Sequence, residues 1–289
     1  MASEVELRID RLAKTGEGVG SFEGQSIFVS NVVPGEKVQV RLLESGRPRR
    51  GELLSVLSPS PDRRTAPCPI SEACGGCGWL HLTESAQRAA KLEIVLSSLE
   101  HLGGVSRSDI QVMPTIASVR QLGYRRRAVM HLSGGKLSFF SRRSRQAVPI
   151  ETCPALVDPI SKLPGLLSPC LAAFGNEIDE VHLLSEGNQC AFAVFLRAQV
   201  RASHVRGCEQ AVMALGLSGA VVVPREGAPV TIGEPVLRAR PNPDLGVPIY
   251  LRPDAFAQNN AESNRTRRWR PSEAYRNRSR RGCQSPRMR

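Results

Sequence analysis

An α+β chain of more than one domain is what this sequence predicts, on three observations. The first sixty residues alternate apolar and polar side chains in short runs broken by glycine, which is a strand-and-turn pattern. Residues 58–69, Ser-Pro-Ser-Pro-Asp-Arg-Arg-Thr-Ala-Pro-Cys-Pro, make a proline-rich stretch suited to the exit from one domain into the next. From Tyr124 to Leu251 strand-like and helix-like periods take turns.

Within the first unit the runs 5–9, 16–20, 26–29, 37–42 and 51–57 read as strands, enough for a small OB-like barrel over residues 1–58. Gly16-x-Gly18-x-Gly20 has the spacing of a dinucleotide loop. Strand-like residues 21–22 and 26–29 follow it instead of a helix, so these glycines are read as bends. Residues 59–105 hold a cysteine loop and then a helix. Thr83 is placed to cap that helix, Leu92, Val95, Leu96, Leu99 and Leu102 share a face read as a core face, and Gly103 and Gly104 stop it.

Residues 106–252 form the central mixed α/β unit, with strands expected at 128–132, 137–140, 181–184, 191–196 and 219–223. Helices are expected after Cys153-Pro154 and over 203–215. Residues 253–264 begin a further region. Residues 265–289 contain no Leu, Ile, Val or Phe, so this tail cannot bury a core and is expected to be disordered.

A chain of 289 residues with 41% hydrophobic side chains is too large for a peptide hormone or a disulfide mini-protein. Its apolar runs fall short of the ~18 residues a membrane span needs. The charged N-terminus argues against export, so a cytoplasmic location is expected, where the eight cysteines stay reduced and favour metal ligation over disulfides. The net charge of +12 is uneven. Ten arginines against Glu273 give residues 265–289 a charge of +9, which leaves +3 for the rest.

Cys68-x5-Cys74-Gly75-Gly76-Cys77 brings three thiols within ten residues, with paired glycines that let the backbone wrap one centre. Cys153, followed by Pro154, is the best fourth ligand. Four thiolates suit a structural zinc ion or an iron–sulfur cluster, and spacing alone does not choose between them. Cys170, Cys190, Cys208 and Cys283 show no such grouping and read as ordinary thiols.

The residues so far, together with Val33-Pro-Gly-Glu36, His81-Leu82, Gln87-x3-Lys91 and Tyr124-Arg-Arg-Arg127, resemble one family. It is the TRAM-domain, iron–sulfur RNA uracil-5-methyltransferases that modify bacterial 23S ribosomal RNA, and the resemblance covers residues 4–264. It implies that residues 1–58 are a TRAM barrel that binds RNA, and that Cys68, Cys74, Cys77 and Cys153 hold a structural or RNA-orienting [4Fe–4S] cluster. Phe256-x-Gln258-x-Asn260-x3-Asn264 is similar to the family segment whose glutamine touches S-adenosylmethionine, which makes Gln258 the implied cofactor contact.

The family continues past that asparagine with a Rossmann-like methyltransferase domain, whose cofactor loop, nucleophilic cysteine and carboxylate base have no counterpart in the sequence. The expectation is therefore an α+β chain in which this C-terminal domain is missing. Uracil C5 becomes nucleophilic only after a thiolate adds to C6, so such a chain is expected to be incompetent alone, with a separate methyltransferase polypeptide as a candidate partner. Cys283 sits in a tail with no packed site to activate it. The whole chain uses 34 arginines against five lysines, as a GC-rich gene would, and the tail reads as out-of-frame GC-rich sequence, or else as a genuine basic segment that binds phosphates.

Tyr124 beside Arg125 and Arg127 is the expected RNA contact, since a basic cluster with an aromatic neighbour can hold a backbone while a base stacks. On a strand Arg125 and Arg127 share one face and Arg126 takes the other. Arg142, Arg143 and Arg145 form a second, less specific cluster. The reading is the RNA-binding, cluster-carrying portion of an S-adenosylmethionine-dependent 23S ribosomal RNA uracil-C5 methyltransferase. The alternative is a free-standing RNA-binding iron–sulfur or zinc module.

Overall fold

Side chains of alternating burial build the first unit. In the computed structural model, which describes residues 3–44, 47–240 and 247–266, β1 (Glu4–Leu12), β2 (Gly18–Phe22), β3 (Gln25–Val29), β4 (Lys37–Leu42) and β5 (Arg50–Ser58) close a barrel in the order β1-β2-β3-β5-β4. Leu7, Ile9, Ile27, Val29, Val38, Val40 and Leu42 fill it, each on the inward phase of its strand. The glycine motif serves closure: a Cβ on Gly20 would stand 2.4 Å from the Arg8 carbonyl oxygen, and one on Gly18 would stand 2.2 Å from Val32 Cγ2. Only glycine allows this approach.

After the proline-rich exit comes α1 (Glu84–Gly103), whose N-cap Thr83 accepts from the Ala86 amide at 3.3 Å. Gly104, left-handed at φ 62°, ends it. The expected core face of this helix is a correction. Only Leu96 of the stripe is buried, while Val95 is 55% and Leu102 80% exposed. Ala86 and Ala90, a turn apart, pack with Leu82 and Trp79 against Leu12 and Val33 of the barrel. At 100° per residue the leucine stripe lies on the opposite side from those alanines and faces away.

The central unit is a seven-stranded sheet in the order β12-β11-β10-β9-β6-β7-β8. Its strands are β6 (Arg127–Ser133), β7 (Lys136–Phe140), β8 (Ala147–Pro149), β9 (Ile178–Glu186), β10 (Gln189–Leu196), β11 (Gly219–Val223) and β12 (Val230–Gly233). β10 and β11 run parallel, joined by α4 (Ala202–Leu215), and the other pairings are antiparallel. One face packs on α2 (Asp158–Ser161), α3 (Leu163–Leu171) and α4 through Met130, Leu137, Leu167, Leu171, Phe192 and Val222. On the other face Leu184 and Ala191 meet Leu237, Leu251 and Ala257, beneath the pair β13 (Leu237–Ala239) and β14 (Ile249–Leu251). Such burial contributes roughly 1.5–3 kcal/mol per large apolar side chain.

The described chain ends in α5 (Ala261–Thr266). Most of the arginine-rich tail, Cys283 included, lies outside the described residues. Among the described residues no helix is long and apolar enough to cross a membrane.

Candidate functional site

The cysteine loop is docked by its first glycine. The Gly75 amide donates to the Phe140 carbonyl at 2.9 Å, and Cys74 bridges Ser141 just beyond β7. A Cβ on Gly75 would stand 2.7 Å from that same oxygen, so no other residue lets the loop lie this close. Within the loop the Ser71 amide donates to the Cys68 carbonyl at 3.2 Å, the Cys74 amide to Ile70 at 2.9 Å, and the Gly76 amide to the Cys74 sulfur at 3.4 Å. Cys153 arrives from the turn after β8, its own amide held by the Ser161 carbonyl at 2.9 Å.

Cys68, Cys74, Cys77 and Cys153 line one small cavity walled by Ile70, Phe139, Ile150 and Leu156. Burial pushes the Cys77 thiol up, Arg125 opposes, and the other three cysteines add to the rise. Burial also pushes Cys153 up, against backbone amides from Ala155 and Leu156 that favour its thiolate. Four mutually repelling thiols in an apolar wall ionise together only around a cation, which reverses this balance. Among the described residues no group of three or more His, Cys, Asp or Glu side chains is placed so that it could hold a metal ion as it stands. The fold supplies the donor set: four sulfurs from two segments, with backbone amides directed at two of them.

Beside the cavity runs a cleft of about 540 Å³, bounded by the β1–β2 turn, the loop from Gly76 to Leu80, the first turns of α1, residues 115–125 and Asn260. Lys14, Arg64, Arg88, Lys91, Arg120 and Arg125 give it a positive wall, and Trp79 and Tyr124 are its aromatics. Arg125 belongs to both sites. It donates through Nη2 to the Gly76 carbonyl and through Nε to the Tyr124 hydroxyl, each at 3.3 Å, with its guanidinium 5.8 Å from the Tyr124 ring centre. Burial works against its charge, yet Tyr124, Cys77 and Cys153 hold its pKa above the ordinary arginine value.

Arg127 lies elsewhere. At the start of β6 it donates to His182 Nδ1 at 3.0 Å, and burial lowers its pKa. Arg126 is buried, paired with Glu186 at 2.6 Å and donating to the Gln258 carbonyl at 2.9 Å. The Gln258 residue itself is exposed. Tyr124 and Arg125 are thus brought together in the cleft, while Arg127 and Gln258 are placed outside it.

Sequence reasoning missed the residues that join barrel and loop. Trp79 Nε1 donates to the Gly16 carbonyl at 2.9 Å, and His81 Nε2 donates to Val32 at 3.1 Å. Glu36, fully buried, receives Arg63 through both carboxylate oxygens and the Val33 amide at 2.8 Å. Glu17 receives Arg50 and Arg143. Glu36 and His81 stand in the motifs that carry the resemblance, which assigned them no such role, and Glu17 and Trp79 sit beside glycines without a local signal of pairing.

Residues 2–47 match the TRAM domain model. The structure adds β5, beyond that match, as the strand that closes the barrel. An uncharacterized RNA methyltransferase of Bdellovibrio bacteriovorus is 33% identical over 154 residues, 53% of this chain and 39% of that protein. The 23S rRNA (uracil(1939)-C(5))-methyltransferase RlmD of Pseudomonas putida is 29% identical over 273 residues, 89% of this chain and 58% of that protein. The chain therefore spans less than two thirds of the length of either relative. Among solved structures, the tRNA (uracil-54, C5)-methyltransferase of Pyrococcus abyssi in complex with S-adenosyl-L-homocysteine matches with a TM-score of 0.62 at 17% identity. That match covers 90% of this chain and 63% of the other, and shows a shared fold.

These matches correct the expected fold class. The absence of a C-terminal methyltransferase domain was inferred from where a motif series stops. Nine tenths of the chain is accounted for by the fold of a methyltransferase and by alignment to another, so that inference is withdrawn. With it goes the separate methyltransferase polypeptide that the missing domain called for. The chain carries a TRAM domain at its N-terminus and is related in sequence to RNA methyltransferases.

Proposed function

We propose that this chain recognises ribosomal RNA for uracil-C5 methylation in the cytoplasm, laying a single strand along the basic cleft, and holds a [4Fe–4S] cluster in the four-cysteine cavity. The observation that carries the reading is Arg125, which lines both the cavity and the cleft, so that the cysteine site positions the residue that meets RNA. Cations hold the phosphates, and Tyr124 and Trp79 offer faces on which unstacked bases lie. The four sulfurs fit the donor set of a cluster, which would fix the loop and supply a local negative charge beside Arg125.

S-adenosylmethionine is the methyl donor of the reaction in which we place the chain, with Gln258 as its proposed contact. The chemistry requires a thiolate that adds to uracil C6. Among the described residues outside the cavity, burial pushes Cys208 up to about 12 and also raises Cys190, so neither is poised as that nucleophile. The role assigned to the cleft residues is recognition.

The test is anaerobic purification with iron, sulfide and zinc analysis, followed by binding to a 23S ribosomal RNA fragment with transfer RNA as competitor. Expected are about four irons per chain with absorption near ~400 nm, and saturable binding that ribosomal RNA retains against competitor. One zinc per chain favours the alternative RNA-binding module. Equal affinity for both RNAs removes the ribosomal assignment.

A further inference from the structure

We propose that Arg142 is the charge partner of the cysteine cavity on its Cys74 side, stabilising the negative charge of a thiolate-bound cluster and raising its reduction potential. The inference rests on the cluster reading above.

Three observations meet at this residue. Its backbone is locked to the cysteine loop: residues 140–142 face Gly75, where a Cβ would stand 2.7 Å from the Phe140 oxygen and 3.0 Å from the Arg142 nitrogen. Its guanidinium lies over Gly78, just past Cys77, with Nη2 3.7 Å from the position a Cβ would take there. Its Nη1 is buried without a hydrogen-bond partner among the described residues. A buried cationic donor left unmatched is costly, and it persists where an anion completes it.

The neighbours say which anion. Arg143, next in sequence, occupies the Glu17 carboxylate, which has Arg50 as its second cation. Burial and Arg143 disfavour the Arg142 charge, whereas Glu17 and Cys74 favour it. Arg125 stands in the same relation to Cys77 and Cys153. Two arginines thus flank the cysteine loop, Arg142 over Gly78 and Arg125 in the cavity wall. A thiolate-bound cluster gains negative charge on reduction, so a nearby guanidinium favours the reduced form.

The experiment is a spectroscopically followed redox titration of anaerobically purified wild type, R142M, R142K and R143M, with iron and sulfide content and circular dichroism measured on each. The expected result is at least a tenfold shift toward the oxidised form in R142M, equal to about 59 mV more negative for one electron. R142K stays near wild type, and R143M, which loses only the Glu17 contact, keeps the wild-type potential. Failure of R142M to hold iron that R142K holds is the same charge requirement in stronger form. A fully loaded R142M at the wild-type potential overturns the proposal, as does loss of iron in both Arg142 variants, which would assign the residue to packing. Wild type that binds zinc in place of iron overturns the cluster reading and this inference with it.

Discussion

Glu17 of the barrel, 1% exposed, accepts both guanidinium nitrogens of Arg143 from the turn beyond β7, 126 residues away in sequence. Arg50 approaches the same carboxylate at 3.3 Å from β5. Although burial alone would raise the pKa of Glu17, these arginines and Thr15 bring it below its ordinary value of 4.5. A carboxylate depressed in the folded state stabilises fully above 4.5 and loses that contribution as pH falls through its lower folded value. E17Q is expected to cost about 2 kcal/mol at pH 7, short of the ~3–5 kcal/mol of a fully buried pair because both arginines keep about a third of their surface. The difference in Tm between E17Q and wild type should shrink below pH 4.5. A constant difference across that range would show that the pair contributes shape and not charge.

If the cleft takes single-stranded RNA, Tyr124 and Arg125 separate by kind of effect. Y124A removes a stacking face and should weaken binding by about 1–3 kcal/mol with the salt dependence unchanged. R125A should weaken binding and lower the slope of log K against log salt by roughly 0.7, the single-strand value for one phosphate contact. R127A, whose partner is His182, should leave RNA affinity near wild type while lowering thermal stability. Titrations at three salt concentrations distinguish these outcomes.

The barrel was legible because period-two alternation is a local signal: the expected runs at 26–29 and 37–42 are β3 and β4 within one residue. The convergence of Cys153 on the loop was legible only through thiol chemistry, since β6, β7 and β8 lie between them in sequence. Two things escaped. The leucine stripe of α1 was assigned to a core because amphipathicity marks a face without naming what covers it, and the barrel took the alanine face instead. Arg125 and Arg127 were grouped by strand alternation, but β6 begins at Arg127, and Arg125 sits before it in a bridge to Leu156 and Asn260. Alternation does not extend past the end of a strand.

The four-cysteine site makes its own prediction about stability. C68S, C74S, C77S and C153S should each abolish the absorption near ~400 nm and release the loop that carries the Trp79 and His81 contacts. Anaerobic chelation of wild type should lower Tm similarly, since a group bound only by the folded state stabilises it by mass action. C190S, on β10 at a buried position that does not line the cavity, should keep the spectrum. Retained absorption in any of the four variants would remove that cysteine from the ligand set.

Adjacent glycines separate docking of the loop from its flexibility. At Gly75 a methyl group would stand 2.7 Å from the Phe140 oxygen and 3.1 Å from the Ser141 carbonyl carbon, both backbone atoms that cannot swing aside. At Gly76 it would meet only the Cys74 sulfur, at 3.5 Å, an ordinary contact. G75A is therefore expected to lose the amide bond to Phe140 and destabilise by about 1–3 kcal/mol, the range for overpacking a fitted site. Because the same shift displaces Gly76, whose carbonyl receives Arg125, G75A should also weaken RNA binding, and G76A should do neither. Thermal melts and RNA titrations on the two variants check this, and equal behaviour would mean that the pair acts through backbone freedom and not through close approach to β7.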